Sequence, residues 1–67
     1  MTEQEFAESL IVLFEDAEQR DMLWDLTQSK LMSISTFAQH GLLTGNKGVV
    51  LTFADGSEFQ LSIVKSR

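Results

Sequence analysis

A chain of 67 residues with no cysteine is one small domain, and it has neither a disulfide nor a thiolate metal site to staple it. Its 43% hydrophobic content and lack of proline favour a packed chain over a disordered one, and no run reaches the roughly 18 apolar residues of a membrane span. The formal charge of −5 is uneven: residues 1–25 hold eight acids against Arg20 alone, while Lys30, Lys47, Lys65 and Arg67 face only Asp55 and Glu58 in the remainder. This excess of acid argues against direct binding to nucleic acid phosphates.

In chain order, Thr2-Glu3-Gln4-Glu5 is a capping-box pattern, in which hydroxyl and carboxylate each satisfy the other's backbone amide. The same acidic start stands where a secretory signal would be basic. With the absence of cysteine, it makes the cytoplasm the expected location. Phe6, Leu10, Leu13, Phe14 and Ala17 follow helical spacing and are the expected core stripe. Glu5, Glu8, Glu15 and Asp16 fall on the other side, a candidate acidic surface. Leu10-Ile-Val-Leu-Phe14 is apolar throughout, so Ile11 flanks the stripe and Val12 sits among the acids. Either the core face is broad and tolerates one exposed valine, or Ile11 and Val12 belong to a contact surface for a partner or a twin subunit.

Glu15 to Asp21 is a charged bridge with two outcomes. The helix runs on to about Leu26, or Asp21 starts a second turn carrying Met22, Leu23, Trp24 and Leu26. On a continuous helix Trp24 lands above Phe6 and is expected in the core. In Lys30-Leu-Met-Ser-Ile-Ser-Thr-Phe37, Met32, Ile34 and Thr36 alternate with Ser33 and Ser35, which favours a third strand. The competitor is a short helix from Thr36 to His40 stopped by Gly41. Gly41-Leu-Leu-Thr-Gly-Asn-Lys-Gly48 lacks the spacing of a phosphate-binding loop and precedes no helix. It reads as a turn, with one or both of Leu42 and Leu43 tucked under the sheet.

The runs on either side of Asp55-Gly56 form the strongest hairpin signal in the chain. A two-residue loop would set Phe53 opposite Glu58 and mix the faces. A three-residue loop, Ala54-Asp55-Gly56, sets Phe53 opposite Ser57, Leu51 opposite Phe59 and Val49 opposite Leu61. That register gathers Leu51, Phe53, Phe59, Leu61 and Ile63 on one face, with glycine in the left-handed position of the turn. Val50, Thr52, Glu58, Gln60, Ser62 and Val64 form the other face, expected to be largely wet. The expected fold is α+β: an N-terminal helix, with a second short helix as an option, on a two- to three-stranded antiparallel sheet ending in a C-terminal hairpin.

Phe37-Ala-Gln-His-Gly-Leu-Leu-Thr44, Gly48-Val-Val-Leu and Asp55-Gly-Ser-Glu-Phe-Gln-Leu-Ser-Ile63 together resemble small phage and prophage proteins. The resemblance covers less than half the chain and carries over no functional residues. It implies a mobile-element setting, where small acidic proteins act by binding something.

No chemistry announces itself. His40 is the only histidine and has no ligand-spaced neighbours, so neither metal nor cofactor is expected. An open acidic helix face gives no reason for a raised carboxyl pKa. One histidine without a nucleophile elbow makes no hydrolase. The chain therefore reads as a non-enzymatic interaction or regulatory protein, self-associating because so short a chain buries little surface alone, with a host protein as a further partner. Ile11, Val12 and Leu23 are the candidate binding residues, joined in the apolar surplus by Met22 and Leu43. The alternative is an acidic mimic of nucleic acid, blocking a host nucleic-acid-binding protein through Glu5, Glu8, Glu15 and Asp16.

Overall fold

The computed structural model describes residues 1–42 and 45–67. The order of elements is α1 (Glu3–Gln19), α2 (Met22–Thr27), β1 (Leu31–Thr36), α3 (Phe37–His40), β2 (Lys47–Phe53) and β3 (Glu58–Ile63). The strands form one antiparallel sheet in the order β1-β2-β3, and α1 packs across β1 and β2. The fold is α+β. Leu43, expected beneath the sheet, lies outside the described residues.

Helix α1 begins where its capping box places it. The Glu5 amide donates to Thr2 Oγ1 at 3.1 Å, and the Thr2 amide donates to Glu5 Oε1 at 3.0 Å. The helix does not run on to Leu26. Asp21 takes a left-handed conformation, φ 58°, which aspartate tolerates better than most residues. The chain turns there and restarts as α2. Trp24, placed in the core on the assumption of one straight helix, is thereby swung out and is half exposed.

The core stripe of α1 is also rotated from its expected position. Ala7 is fully buried, and Leu10, Ile11 and Phe14 pack beside it against Leu31, Val49 and Leu51, while Leu13 and Phe6 are exposed. The smallest apolar residue of the helix sits at the closest approach to the sheet, because a short side chain there lets the backbones draw together.

The alternatives for residues 30–40 both form, one after the other. Thr36 ends β1 with extended backbone, φ −71° and ψ 163°, and serves as N-cap of α3: its Oγ1 accepts from the Gln39 amide while Gln39 Oε1 accepts from the Thr36 amide. Gly41, at φ 88°, closes the helix. Within β1 the pairing shifts between Leu31 and Ser33, so Met32 is an extra, bulged residue and is exposed. The bulge lets Leu31 and Ile34, three apart, share the helix-facing side.

The hairpin has the three-residue loop. Val49 pairs with Leu61 and Leu51 with Phe59. The Phe53 amide donates to the Ser57 carbonyl at 2.9 Å, and the Gly56 amide to the Phe53 carbonyl at 3.0 Å. Asp55 holds the turn by accepting from the Ser57 amide at 2.9 Å and from the Ser57 hydroxyl. Those bonds favour the carboxylate and keep its pKa below the ordinary aspartate value. Gly56 has φ 90°, so Gly56→Val is expected to cost about 1–2 kcal/mol by forcing a β-branched residue into the left-handed region. An unchanged urea midpoint in that variant would contradict this turn.

The second face of the sheet is not fully wet. Helix α3 folds over it, and Val50 and Phe37 are buried there. Gly48 lies under the Phe37 ring: a Cβ at this position would meet Phe37 Cζ at 2.6 Å and Cε2 at 2.8 Å, and would run into the Leu61 carbonyl oxygen. Ser33, Ser35, Thr52 and Gln60 complete that face, and His40 Nε2 on α3 reaches Glu58 Oε1 at 3.5 Å.

Candidate protein-interaction surface

An α-helix with its side chains is about 10 Å across, whereas three strands spaced about 4.8 Å apart present a wider surface. One helix therefore covers two strands well and leaves the third. Here the third strand is β3. Glu15, Glu18 and Gln19 border Leu31, Met32 and Ile34, so that flank of α1 overlooks β1. A turn of about 100° per residue puts Phe6, Leu10, Leu13 and Ala17 on the opposite flank, overlooking β3. Phe6 accordingly shares a shallow hollow with Ile63 and Val64.

The result is an apolar trough walled by α1 and floored by Phe59, Leu61 and Ile63. Phe6 is 43% exposed, Leu13 61%, Phe59 55% and Leu61 41%. Phe59 stands edge-on to Phe53, ring centroids 6.0 Å apart, which fixes the floor at its turn end. The trough is open, with Glu3, Lys65 and Arg67 at the end near the helix N-terminus and Asp55 beside Phe59 at the turn end. It can take apolar side chains from another surface.

The residues singled out by sequence fall in different places. Ile11 and Leu23 are partly buried and pack against the core cluster of their own chain. Val12 is widely exposed and stands on the side of α1 that carries Glu5, Glu8, Glu15 and Asp16. Those acids are exposed, but three of them are engaged locally. Glu5 completes the capping box, Glu8 accepts from Gln4 Nε2 at 3.3 Å, and Asp16 pairs with Arg20 Nε at 3.1 Å. The carboxylate that ties elements together is a different one, Glu18, whose Oε2 accepts from the Leu31 amide at 3.2 Å.

Phe59, Leu61, Phe6 and Leu13 were all assigned to the interior by their spacing. The signal that could have placed them outside was the ratio of elements, one long helix against three strands.

Solvated carboxylates on an exposed helix face contribute little to folding. Glu8→Gln and Glu15→Gln are each expected to change stability by less than about 0.5 kcal/mol in urea titration. Loss of folding in the double variant would show these acids to be structural.

Among the described residues no three His, Asp or Glu side chains stand together in a way that could hold a metal ion, and no helix is long and apolar enough to cross a membrane. Comparison with protein-family models, with curated proteins and with solved structures found no match.

Proposed function

We propose that this chain is a small non-enzymatic interaction protein that acts as a self-associated assembly, in the phage or prophage setting its sequence resemblance implies. The observation that supports this is the uncovered trough between α1 and β3. Monomeric proteins seldom leave a contiguous apolar strip of this kind open to water, and when they do it marks a binding surface. At 25 cal/mol for each Å² of apolar surface, covering even a few hundred Å² is worth several kcal/mol before the costs of association. A chain this short has every reason to recover that stabilisation from its own copy.

Nothing in the local bonding favours the competing reading as an acidic imitation of nucleic acid. Glu5 and Asp16 are committed to the residues that cap α1, Thr2 and Arg20, and the acids lie along a single helix instead of two phosphate-like rows.

Sedimentation from low micromolar to near-millimolar concentration tests the proposal. The expected result is a species of twice the mass of the 7.5 kDa chain or more, growing with concentration and insensitive to added salt because the contact is apolar. A monomer throughout would overturn it.

A further inference from the structure

The sheet has two edges, and they are built differently. Edge strands normally carry a device that prevents pairing with another chain: a bulge, a proline, or a charge. Strand β1 has such protection. Met32 bulges out of its ladder, the Leu31 amide is taken by Glu18, and the strand passes directly into α3 at Thr36. Strand β3 has less: its one charge is Glu58 at the turn end, and from Phe59 to Val64 it contains no charge and no proline, with a ladder to β2 that is regular from Glu58 to Ile63.

Its free hydrogen-bonding groups can be identified. The Phe53 amide bonds the Ser57 carbonyl across the turn, so by alternation Phe59, Leu61 and Ile63 point their backbone groups at β2. Glu58, Gln60 and Ser62 then point theirs outward along the edge. Beside that edge lies the trough with Phe59 and Leu61 on its floor.

We infer that β3 is the dimer interface: it pairs antiparallel with β3 of a second copy about a twofold axis at Leu61, joining two sheets into one of six strands. This rests on the proposed self-association and names its surface. In this register Gln60 of one copy bonds Ser62 of the other, and Glu58 bonds Val64. On the helix-facing side, Leu61 meets Leu61 and Phe59 meets Ile63. Every pair on the buried side is apolar, and no two like charges face each other. The alternative centred on Glu58 would oppose two carboxylates. Side chains in non-hydrogen-bonded pairs approach most closely, and the Leu61–Leu61 and Phe59–Ile63 pairs are of that type. The acidic side of α1 stays away from the axis.

The area agrees with such an interface. A folded chain of 7.5 kDa is expected to expose about 4,250 Å², and this one exposes 4859 Å². The surplus is about 600 Å², similar in size to the share each partner gives to an interface at the lower end of the stable range. The radius of gyration, 12.2 Å, likewise exceeds the value of about 10.9 Å for a compact chain of this length.

Two measurements test the inference. The first is amide hydrogen exchange of the unmodified protein at concentrations on either side of the association midpoint. Gln60 and Ser62 should slow by about tenfold or more on association, while the β1 edge stays unchanged. The second is Gln60→Pro, which removes an outward N–H and leaves the β2–β3 ladder intact, a position where edge strands accept proline. It should sediment as a folded monomer at concentrations where the parent is dimeric. A dimer in which Gln60 and Ser62 exchange fast, or which survives Gln60→Pro, would overturn the β3 interface and leave self-association standing. A parent that never dimerises would overturn both. If Gln60→Pro fails to fold, the exchange measurement decides alone.

Discussion

Gly48→Ala is expected to cost about 3 kcal/mol, the upper end of what one added methyl inflicts on a packed interior. The position has two walls. One is the Phe37 ring, whose nearest carbons would stand 2.6 and 2.8 Å from the new Cβ. The other is the Leu61 carbonyl oxygen, part of β3 and fixed by the pairing of Val49 with Leu61. The ring can tilt only by opening the buried side of α3, and the oxygen can move only by breaking the sheet. A domain of this size has roughly 3–10 kcal/mol in all, so the variant should lose much of its stability. Each kcal/mol moves the melting temperature of a small domain by about 4–8 °C, so a fall of roughly 12–24 °C is expected in thermal unfolding followed by circular dichroism. An unchanged transition would mean that Phe37 does not lie over Gly48.

The second large effect is expected at Phe37 itself. Phe37→Ala should cost about 3–4 kcal/mol, as is usual when a buried aromatic is truncated. The ring is what α3 contributes to the interior: Phe37 is the buried residue of that helix, and Val50 beneath α3 is 1% exposed. Its removal uncovers Val50 and leaves Gly48 bare. The two substitutions share one contact, so they should not add. In a Phe37→Ala background, Gly48→Ala should cost at least about 1 kcal/mol less than in the parent, because only the clash with the Leu61 oxygen remains. Strict additivity in urea titrations of the four proteins would contradict the proposed packing of α3.

These positions also show which parts of the fold the sequence could give. The hairpin was legible down to its register, because only the loop Ala54-Asp55-Gly56 keeps Leu51 with Phe59 and Val49 with Leu61 on one face. The start of α1 was legible in Thr2 and Glu5. The start of α3 was equally written in Thr36 and Gln39, a second capping box. It was hidden because the same threonine also completes the alternation of β1, and strand and helix were set against each other when the chain uses both. Val50 read as part of a wet face for the same reason, since nothing local says that α3 folds back over it.

Trp24 and Leu13 illustrate a different limit. Helical arithmetic gives relative angles but not the direction of the sheet. That direction was set by Ala7, which a ranking by hydrophobicity overlooks because it is small. The left-handed turn at Asp21 then broke the phase on which the placement of Trp24 depended. The candidate surface was missed for a related reason. Phe59 and Leu61 carry the right residue types and the right alternation for an interior, and in the six-stranded arrangement they would occupy one, supplied by a second copy.

The proposed pairing of β3 with its own copy, with the axis at Leu61, can be observed in an isotope-filtered nuclear Overhauser experiment on a mixture of labelled and unlabelled protein at a concentration where the assembly is formed. Contacts are expected between the Phe59 ring of one copy and the Ile63 methyl groups of the other, together with Leu61 methyl contacts across the axis. Cross-copy contacts confined to Val12 and the outer side of α1, or to Met32 on the β1 edge, would contradict it.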